Sequence, residues 1–182
     1  MVLLLPFPGS LSVQVTRAAA TSFSGTPGIE LLSEVPLVLL AIATAAALAH
    51  AWWKKTRYRL TATFAAAGVL VAYAASEGIK LLLAEPRPCS VWDLGVQCPP
   101  AGDWSLPSNH ATLAFGGVVV IAIATRSMLV TSGAVLLAIT VAAGRVLEGS
   151  HYLHDVAAGA VLAIVIVGVT AMLANAQVRT DQ

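Results

Sequence analysis

Ionisable side chains of the types that act on phosphate occur in three short stretches of an otherwise apolar sequence. Guanidinium groups bind phosphate oxygens in pairs, and a lysine adds a compact positive charge. Three cations, two histidines and one carboxylate are therefore a suitable set for a phosphate dianion. The candidate residues are Lys80 and Arg87 in KLLLAEPRP, Ser108, Asn109 and His110 in PSNHAT, and Arg145, His151 and Asp155 in GRVLEGSHYLHDV.

The spacing of the histidines predicts how they share a reaction. His151 and Asp155 are four residues apart, so in a helical turn the carboxylate can fix the tautomer of the imidazole. One histidine is then available to attack phosphorus and the other to donate a proton. A helix beginning at Pro107 would also direct backbone N–H groups at the anion. Neither the histidines nor the cysteines have the spacing of a zinc site, so we expect no metal and no cofactor.

Composition limits the class of protein that must position these groups. Of the 182 residues, 58% are hydrophobic and 10% are charged, against about 25% charged in soluble domains. This excludes an ordinary water-soluble fold. The net charge of +1 and the lack of a basic tract beyond one short cluster also exclude nucleic-acid binding. The length suits one domain, residues 1–182.

Apolar segments long enough to cross a membrane predict an all-α, polytopic helical bundle with five clear spans. A span needs about 20 apolar residues, and the third segment is short. The N-terminal stretch Met1 to Val15 contains prolines and lacks a basic region, so we interpret it as an interfacial or re-entrant segment, with a disordered or cleaved terminus as the alternative. The predicted spans are Ile29 to Trp53, Leu60 to Leu83, His110 to Thr125, Met128 to Leu147 and Asp155 to Ala174.

Basic residues predict the orientation, because short loops rich in lysine and arginine remain on the cytoplasmic side. With the densest basic cluster inside, the loop from Glu85 to Leu106 and the turn from Glu148 to Leu153 lie outside, and Arg17 alone disagrees. The predicted site is therefore at the outer face. The basic cluster consists of Lys54, Lys55, Arg57 and Arg59.

Two cysteines, Cys89 and Cys98, lie nine positions apart in the predicted outer loop. An oxidising compartment permits a disulfide there, and we expect one, although sequence alone leaves unpaired thiols as the alternative. A bridge would restrain the loop that leads into the predicted site.

The three stretches resemble the signature of the type 2 phosphatidic acid phosphatase family, which has three parts in a fixed order. Two positions depart from the common pattern, since a glycine is usual at Asn109 and a serine at Gly144. The family is often drawn with six spans, and the N-terminal segment could be the remnant of one. Lys80 with Arg87-Pro88 matches Lys-x6-Arg-Pro, Pro107-Ser108-Asn109-His110 matches Pro-Ser-x-His, and Arg145, His151 and Asp155 match Arg-x5-His-x3-Asp.

The resemblance implies a role for each matching residue. His151 would be the nucleophile that forms a phosphohistidine, oriented by Asp155, and His110 would be the general acid. His154 falls outside the signature and is assigned to the membrane interface. The phosphoryl oxygens would be held by Lys80, Arg87, Arg145 and Ser108, with a further hydrogen bond available from Asn109.

The resemblance also implies a substrate class. Short loops and an outward-facing site most resemble bacterial undecaprenyl-diphosphate phosphatases of the inner membrane. We therefore expect a polyprenyl diphosphate, with phosphatidate or phosphatidylglycerophosphate as the alternative and membrane lipids as the surroundings. Vanadium haloperoxidases share the signature but are soluble. A lipid-phosphate binding or flipping protein is the non-enzymatic alternative, and it would not need two histidines and an aspartate at catalytic spacing.

Overall fold

The structure is a computed structural model, and it describes residues 9–180. Within that range the chain forms helices and turns and no strand. Four helices are long and apolar enough to cross a membrane, and a further apolar helix is shorter. This confirms the predicted all-α membrane bundle. The helices are α1 (Leu11–Phe23), α2 (Leu31–Trp53), α3 (Arg59–Leu83), α4 (Pro88–Val91), α5 (Asn109–Thr125), α6 (Met128–Leu147) and α7 (Leu153–Thr180).

The five predicted spans correspond to α2, α3, α5, α6 and α7, and each predicted start lies within two residues of the observed one. The short third span begins at Asn109 rather than at Pro107, because Ser108 caps the helix by accepting a hydrogen bond from Ala111 N. Helix α7 runs beyond the predicted end at Ala174. Hydrophobic length therefore identifies the spans, and capping residues set their ends.

Helix α1 is the element that the sequence interpretation misses. Residues 1–8 of the predicted interfacial or re-entrant segment lie outside the described residues, but from Leu11 the chain is helical rather than disordered. Its 13 residues extend roughly 20 Å at the usual rise per residue, too short to cross a bilayer core. Its buried face, formed by Ser12, Thr16 and Ala20, packs against α6 and α7.

Helix α5 lies at the centre of the bundle and packs against α2, α3, α6 and α7. Its own buried side chains are small or branched, including Ala114, Val120 and Ile121. Small residues let helices approach closely in membrane bundles. Helices α2 and α3 make few contacts with each other, so a groove remains between them.

Two glycines bring helix ends together near the predicted site. At Gly144 a Cβ atom would lie 2.8 Å from Ser33 N, so α6 approaches α2 more closely than a side chain would permit. At Gly159 a Cβ atom would overlap Ser108 O, so α7 rests directly on the start of α5. The departure from the usual serine at position 144 therefore has a packing cause.

Candidate active site

The ends of four helices bring the three motif stretches to one end of the bundle. Helix α3 ends with Ala84 in the left-handed conformation (φ 46°), which turns the chain toward Arg87. The turn from α6 to α7 is fixed because Ser150 N and His151 N both donate to Arg145 O, at 3.2 and 3.1 Å. Ser108 N donates to Asp155 O at 3.1 Å, which joins the second motif to the third.

His151 lies at the centre of this cluster and is fully buried. Its Nδ1 is 3.3 Å from Asp155 Oδ2, and its Nε2 is 3.0 Å from Arg87 Nη1. Because a guanidinium group can only donate, Nε2 must accept, and the ring proton lies on Nδ1 facing the carboxylate. The Nε2 lone pair therefore points toward Arg87, one of the candidate phosphate ligands.

The electrostatic surroundings keep His151 neutral. Burial lowers its pKa well below the ordinary value, and the positive charges of Arg87, Arg145 and Lys80 lower it further, with a smaller effect from His110. These four groups come from all three motif stretches. A neutral imidazole is the form that can act as a nucleophile.

Asp155 is fully buried and receives donors on the oxygen that faces His151. Its Oδ2 accepts hydrogen bonds from Tyr152 N, at 2.7 Å, and from the Ser105 hydroxyl. Ser105 Oγ is also 3.4 Å from His151 Nδ1. Sequence reasoning misses Ser105, because it lies in a loop at no recognisable spacing from the motifs.

The first two cations share one carboxylate. Asp103 Oδ1 lies 2.8 Å from Arg87 Nη2 and 3.7 Å from Lys80 Nζ, and Lys80 is also 3.4 Å from Glu77. Partial burial acts to raise the pKa of Asp103, but its hydrogen bond to Arg87 and the charges of Arg87 and Lys80 lower that pKa below its ordinary value. Asp103 is therefore an ionised counter-ion between two candidate phosphate ligands.

Arg145 is paired with an acid of its own helix end. Its Nη1 donates to Glu148 Oε2 at 2.8 Å, and Glu148 Oε1 accepts from the Ser33 hydroxyl at 2.5 Å. Arg145 Nε is buried and has no hydrogen-bond partner among the described residues. Glu148 is buried, so it is a structural partner of Arg145 rather than a solvated charge.

The second motif is divided between the site and the α3–α5 junction. His110 Nε2 is 3.2 Å from Glu34 Oε1 of α2, and the His110 side chain is 25% exposed. Asn109 donates to Glu77 at 2.5 Å and accepts from Ser76 at 2.7 Å. The buried hydroxyl of Ser108 caps α5. In this structure Ser108 and Asn109 thus serve the helix junction, whereas the His110 ring is accessible.

Cys89 and Cys98 form a disulfide, with their Cα atoms 5.6 Å apart. Cys89 N also donates to Gly149 O at 2.9 Å, which attaches α4 to the α6–α7 turn. The bridge therefore anchors the loop that continues to Asp103 and Ser105.

His154, which the sequence analysis assigned to the membrane interface, is buried inside the protein. The residue is 6% exposed, and its Nε2 lies 2.9 Å from Glu85 Oε1. The helical turn that begins α7 directs it inward beside Asp155. Together with Glu85 and Asp155 it places three ligand-type atoms within 4.8 Å of one another, a group that could hold a metal ion. His154 Nε2 is at ion-pair distance from both carboxylates, so contacts within the protein account for this cluster.

The bundle and this cluster define a class of protein: a multi-pass membrane protein with a cluster of cations and histidines at the ends of its helices. The family model of the PAP2 superfamily matches residues 61–179, well over half of the chain and all three motifs. The chain belongs to the PAP2 superfamily. Members of this superfamily are phosphatases, which supports hydrolysis of phosphate esters. A search of curated proteins and a search of solved structures gave no match.

Proposed function

We propose that this protein is a metal-independent phosphatase of membrane lipids that works through a phosphohistidine on His151. The observation that carries the proposal is the His151 ring, whose Nδ1 faces Asp155 and whose Nε2 faces Arg87. A neutral, oriented imidazole beside a cation is the arrangement that a nucleophile for phosphorus requires.

The first step forms a bond between His151 Nε2 and phosphorus. The substrate phosphate displaces the Asp103 carboxylate from Arg87 and Lys80, and it displaces His151 Nε2 from Arg87 Nη1, which frees the Nε2 lone pair to attack. Arg87, Lys80 and Arg145 then neutralise the phosphoryl oxygens. As the nitrogen–phosphorus bond forms, the bond from phosphorus to the leaving oxygen breaks, and that oxygen takes a proton from His110. Asp155 stabilises the positive charge that develops on the imidazole.

The second step releases phosphate. A water molecule attacks phosphorus, the nitrogen–phosphorus bond breaks, and the electron pair returns to Nε2 of His151. His110, now deprotonated, takes the proton of that water, as microscopic reversibility requires. The site returns to its starting state when phosphate leaves and Asp103 binds the cations again.

A lipid substrate is supported by the groove between α2, α3 and α5. The groove has a volume of about 470 Å³ and an almost wholly apolar lining. It begins one helical turn from the pair of His110 and Glu34, since Leu113 and Leu37 lie three residues further along α5 and α2. Its outer lining residues Val38 and Leu70 are largely exposed on the side that faces lipid in a membrane. A leaving group protonated by His110 would thus extend its chain into the groove.

The long, narrow shape of a polyprenyl chain suits such a groove, so polyprenyl diphosphate is the first substrate that we propose. Phosphatidate and phosphatidylglycerophosphate are the alternatives. The experiment is phosphate release by purified, detergent-solubilised protein in EDTA against these three lipids. We expect turnover that survives chelation, is absent in His151→Ala and is retained in His50→Ala, the change of an exposed histidine in the last turn of α2.

The outcomes separate the possible functions. Phosphate release that His151→Ala leaves unchanged would refute the nucleophile. Turnover that EDTA abolishes and a divalent cation restores would refute the metal-independent route and direct attention to the cluster at His154. Absence of turnover on every lipid, with binding retained in His151→Ala, would support a lipid-phosphate binding protein instead.

We also propose that the site faces outward from a bacterial inner membrane. The basic turn between α2 and α3 lies at the opposite end of the bundle from the site. There Arg59 lies over the Trp52 ring at 5.4 Å, and Arg126 lies over the Tyr58 ring at 5.0 Å. A membrane-impermeant amine reagent should label Lys54 and Lys55 only after cells are permeabilised, and labelling of intact cells would reverse the orientation.

A further inference from the structure

The residue before α7 does not cap the first N–H groups of that helix. The first N–H groups of a helix have no partner within the helix, and the residue before α7 is Tyr152, which is not one of the short polar residues that cap helices. The partners come instead from α1. Leu153 N donates to Thr16 Oγ1 at 3.0 Å, and His154 N donates to Ser12 Oγ at 2.9 Å.

Asp155 completes this cap from within α7. It is the third residue of the helix, and its Oδ2 accepts from Tyr152 N at 2.7 Å. That is the return hydrogen bond of a capping box. The carboxylate that faces His151 is therefore held by a helix start whose other hydrogen bonds depend on α1.

His154 connects the α1 contact to the other oxygen of Asp155. Its Nδ1 lies 2.8 Å from Ser12 Oγ, and its Nε2 lies 2.9 Å from Glu85 Oε1. The same Nε2 is 3.2 Å from Asp155 Oδ1, at ion-pair distance. Oδ1 is buried and has no hydrogen-bond partner among the described residues, so its polar neighbour is His154 Nε2. The ring is also stacked on Tyr152, with centroids 5.1 Å apart.

We propose that His154, held in place by the α1 hydroxyls of Ser12 and Thr16, is a positioning residue for the phosphatase reaction. It fixes the Asp155 carboxylate, and Asp155 in turn fixes the ring of His151. The inference rests on the proposed function, because it requires His151 to be the nucleophile. It also gives α1 a role, although α1 precedes the family match, which begins at residue 61.

The first test measures whether the α1 hydroxyls stabilise the start of α7, and it does not depend on activity. Hydrogen–deuterium exchange is measured on the detergent-solubilised full chain for the amides of residues 153–156. Ser12→Ala and Thr16→Val each remove one acceptor, and we expect about fivefold faster exchange there, as loss of one cap produces. Ser22→Ala is the matched control, since that hydroxyl bonds only within α1, to Ala18 O. Exchange at 153–156 that is unchanged in both cap variants would overturn the inference.

The second test separates positioning from folding. The variants His154→Ala and His154→Gln are compared with wild type for kcat, KM and the fraction of molecules that form an acid-labile phosphoenzyme. A misaligned nucleophile costs on the order of 10- to 100-fold in rate. We therefore expect kcat per phosphorylatable molecule to fall at least tenfold in His154→Ala, with KM and inhibition by inorganic phosphate within about twofold of wild type, because the cations are unaltered. His154→Gln, which retains a side-chain donor, should recover part of the loss.

The results distinguish this inference from the proposed function. A lower phosphorylatable fraction with an unchanged rate per molecule would mean that His154 only stabilises the fold, and it would overturn the inference. If His154→Ala does not fold, kcat, KM and the phosphorylatable fraction are compared with wild type in Ser12→Ala instead, because that variant removes the contact to His154 Nδ1. Wild-type protein that turns over without any phosphoenzyme would instead refute His151 as the nucleophile, and the positioning role would fail with it.

Discussion

Replacing Asp103 by asparagine should strengthen the binding of inorganic phosphate. The carboxylate lies 2.8 Å from Arg87 Nη2 and 3.7 Å from Lys80 Nζ, and its side chain is 43% exposed. At that exposure each ion pair stabilises the resting site by about 0.5–1 kcal/mol. The substrate must break both pairs, so their removal favours phosphate by about 1–2 kcal/mol, or about 5- to 30-fold in the inhibition constant.

Asparagine is the suitable replacement because it removes the charge and little else. Arg87 Nε donates to the backbone oxygen of Asp103 at 2.9 Å, and this bond survives the substitution. The assay is inhibition by inorganic phosphate of the hydrolysis of a short-chain substrate, from pH 6 to 8. The effect should be constant across that range, because the lowered pKa of Asp103 keeps the carboxylate ionised throughout.

Asp93→Asn is the control, since Asp93 is an exposed acid of the same loop and should leave phosphate inhibition unchanged. Equal or weaker inhibition in Asp103→Asn than in wild type would refute the reasoning. It would mean that Asp103 builds the phosphate site rather than competing with phosphate for it.

Three further predictions concern the nucleophile, the groove and the disulfide. The pKa of His151 is lowered by burial and by nearby cations, so protonation of this ring should reduce kcat/KM only well below pH 6.5. A loss of kcat/KM that is centred at or above pH 6.5 and is caused by protonation of His151 would contradict the assignment. Ala41→Phe, which fills the groove, should raise KM severalfold for long-chain lipids and leave a water-soluble phosphate ester unaffected; equal effects on both would exclude the groove as the chain site. Replacing Cys89 and Cys98 by serine should lower the free energy of unfolding by about 2–3 kcal/mol, as expected for a loop of this length, and a melting temperature equal to that of wild type would contradict it.

The spans are predictable from the sequence because a membrane requires long apolar helices, and such segments are visible without any tertiary information. Helix α1 is not, because its stability depends on partners. Its buried face consists of small and polar residues, Ser12, Thr16 and Ala20, which no hydrophobic pattern distinguishes. Only the N–H groups of α7 show why hydroxyls belong at those positions.

The candidate phosphate ligands are predictable for a different reason. Their spacing is set by helix ends, since the turn between α6 and α7 fixes the distance from Arg145 to His151. Their carboxylate partners have no such constraint. Glu34 lies 76 residues before His110, and Asp103 lies 16 residues after Arg87, so neither pairing has a local signal. Glu148 and Glu77 are the exceptions, because each lies three residues from its partner, Arg145 or Lys80, a helical spacing that can be read from the sequence.

These ion pairs explain how a cationic site can be stable when no phosphate is bound. Buried cations without partners would be costly to keep in a membrane protein, and here Lys80, Arg87 and Arg145 each contact a carboxylate. Substrate affinity is then a difference between two sets of ion pairs, those with the phosphate and those with Asp103 and Glu148. Under this scheme loss of a cation and loss of its counter-ion should change phosphate affinity in opposite directions. His151 takes part in this exchange through Arg87, whose Nη1 lies 3.0 Å from its Nε2, so phosphate that binds Arg87 would also release the proposed nucleophile.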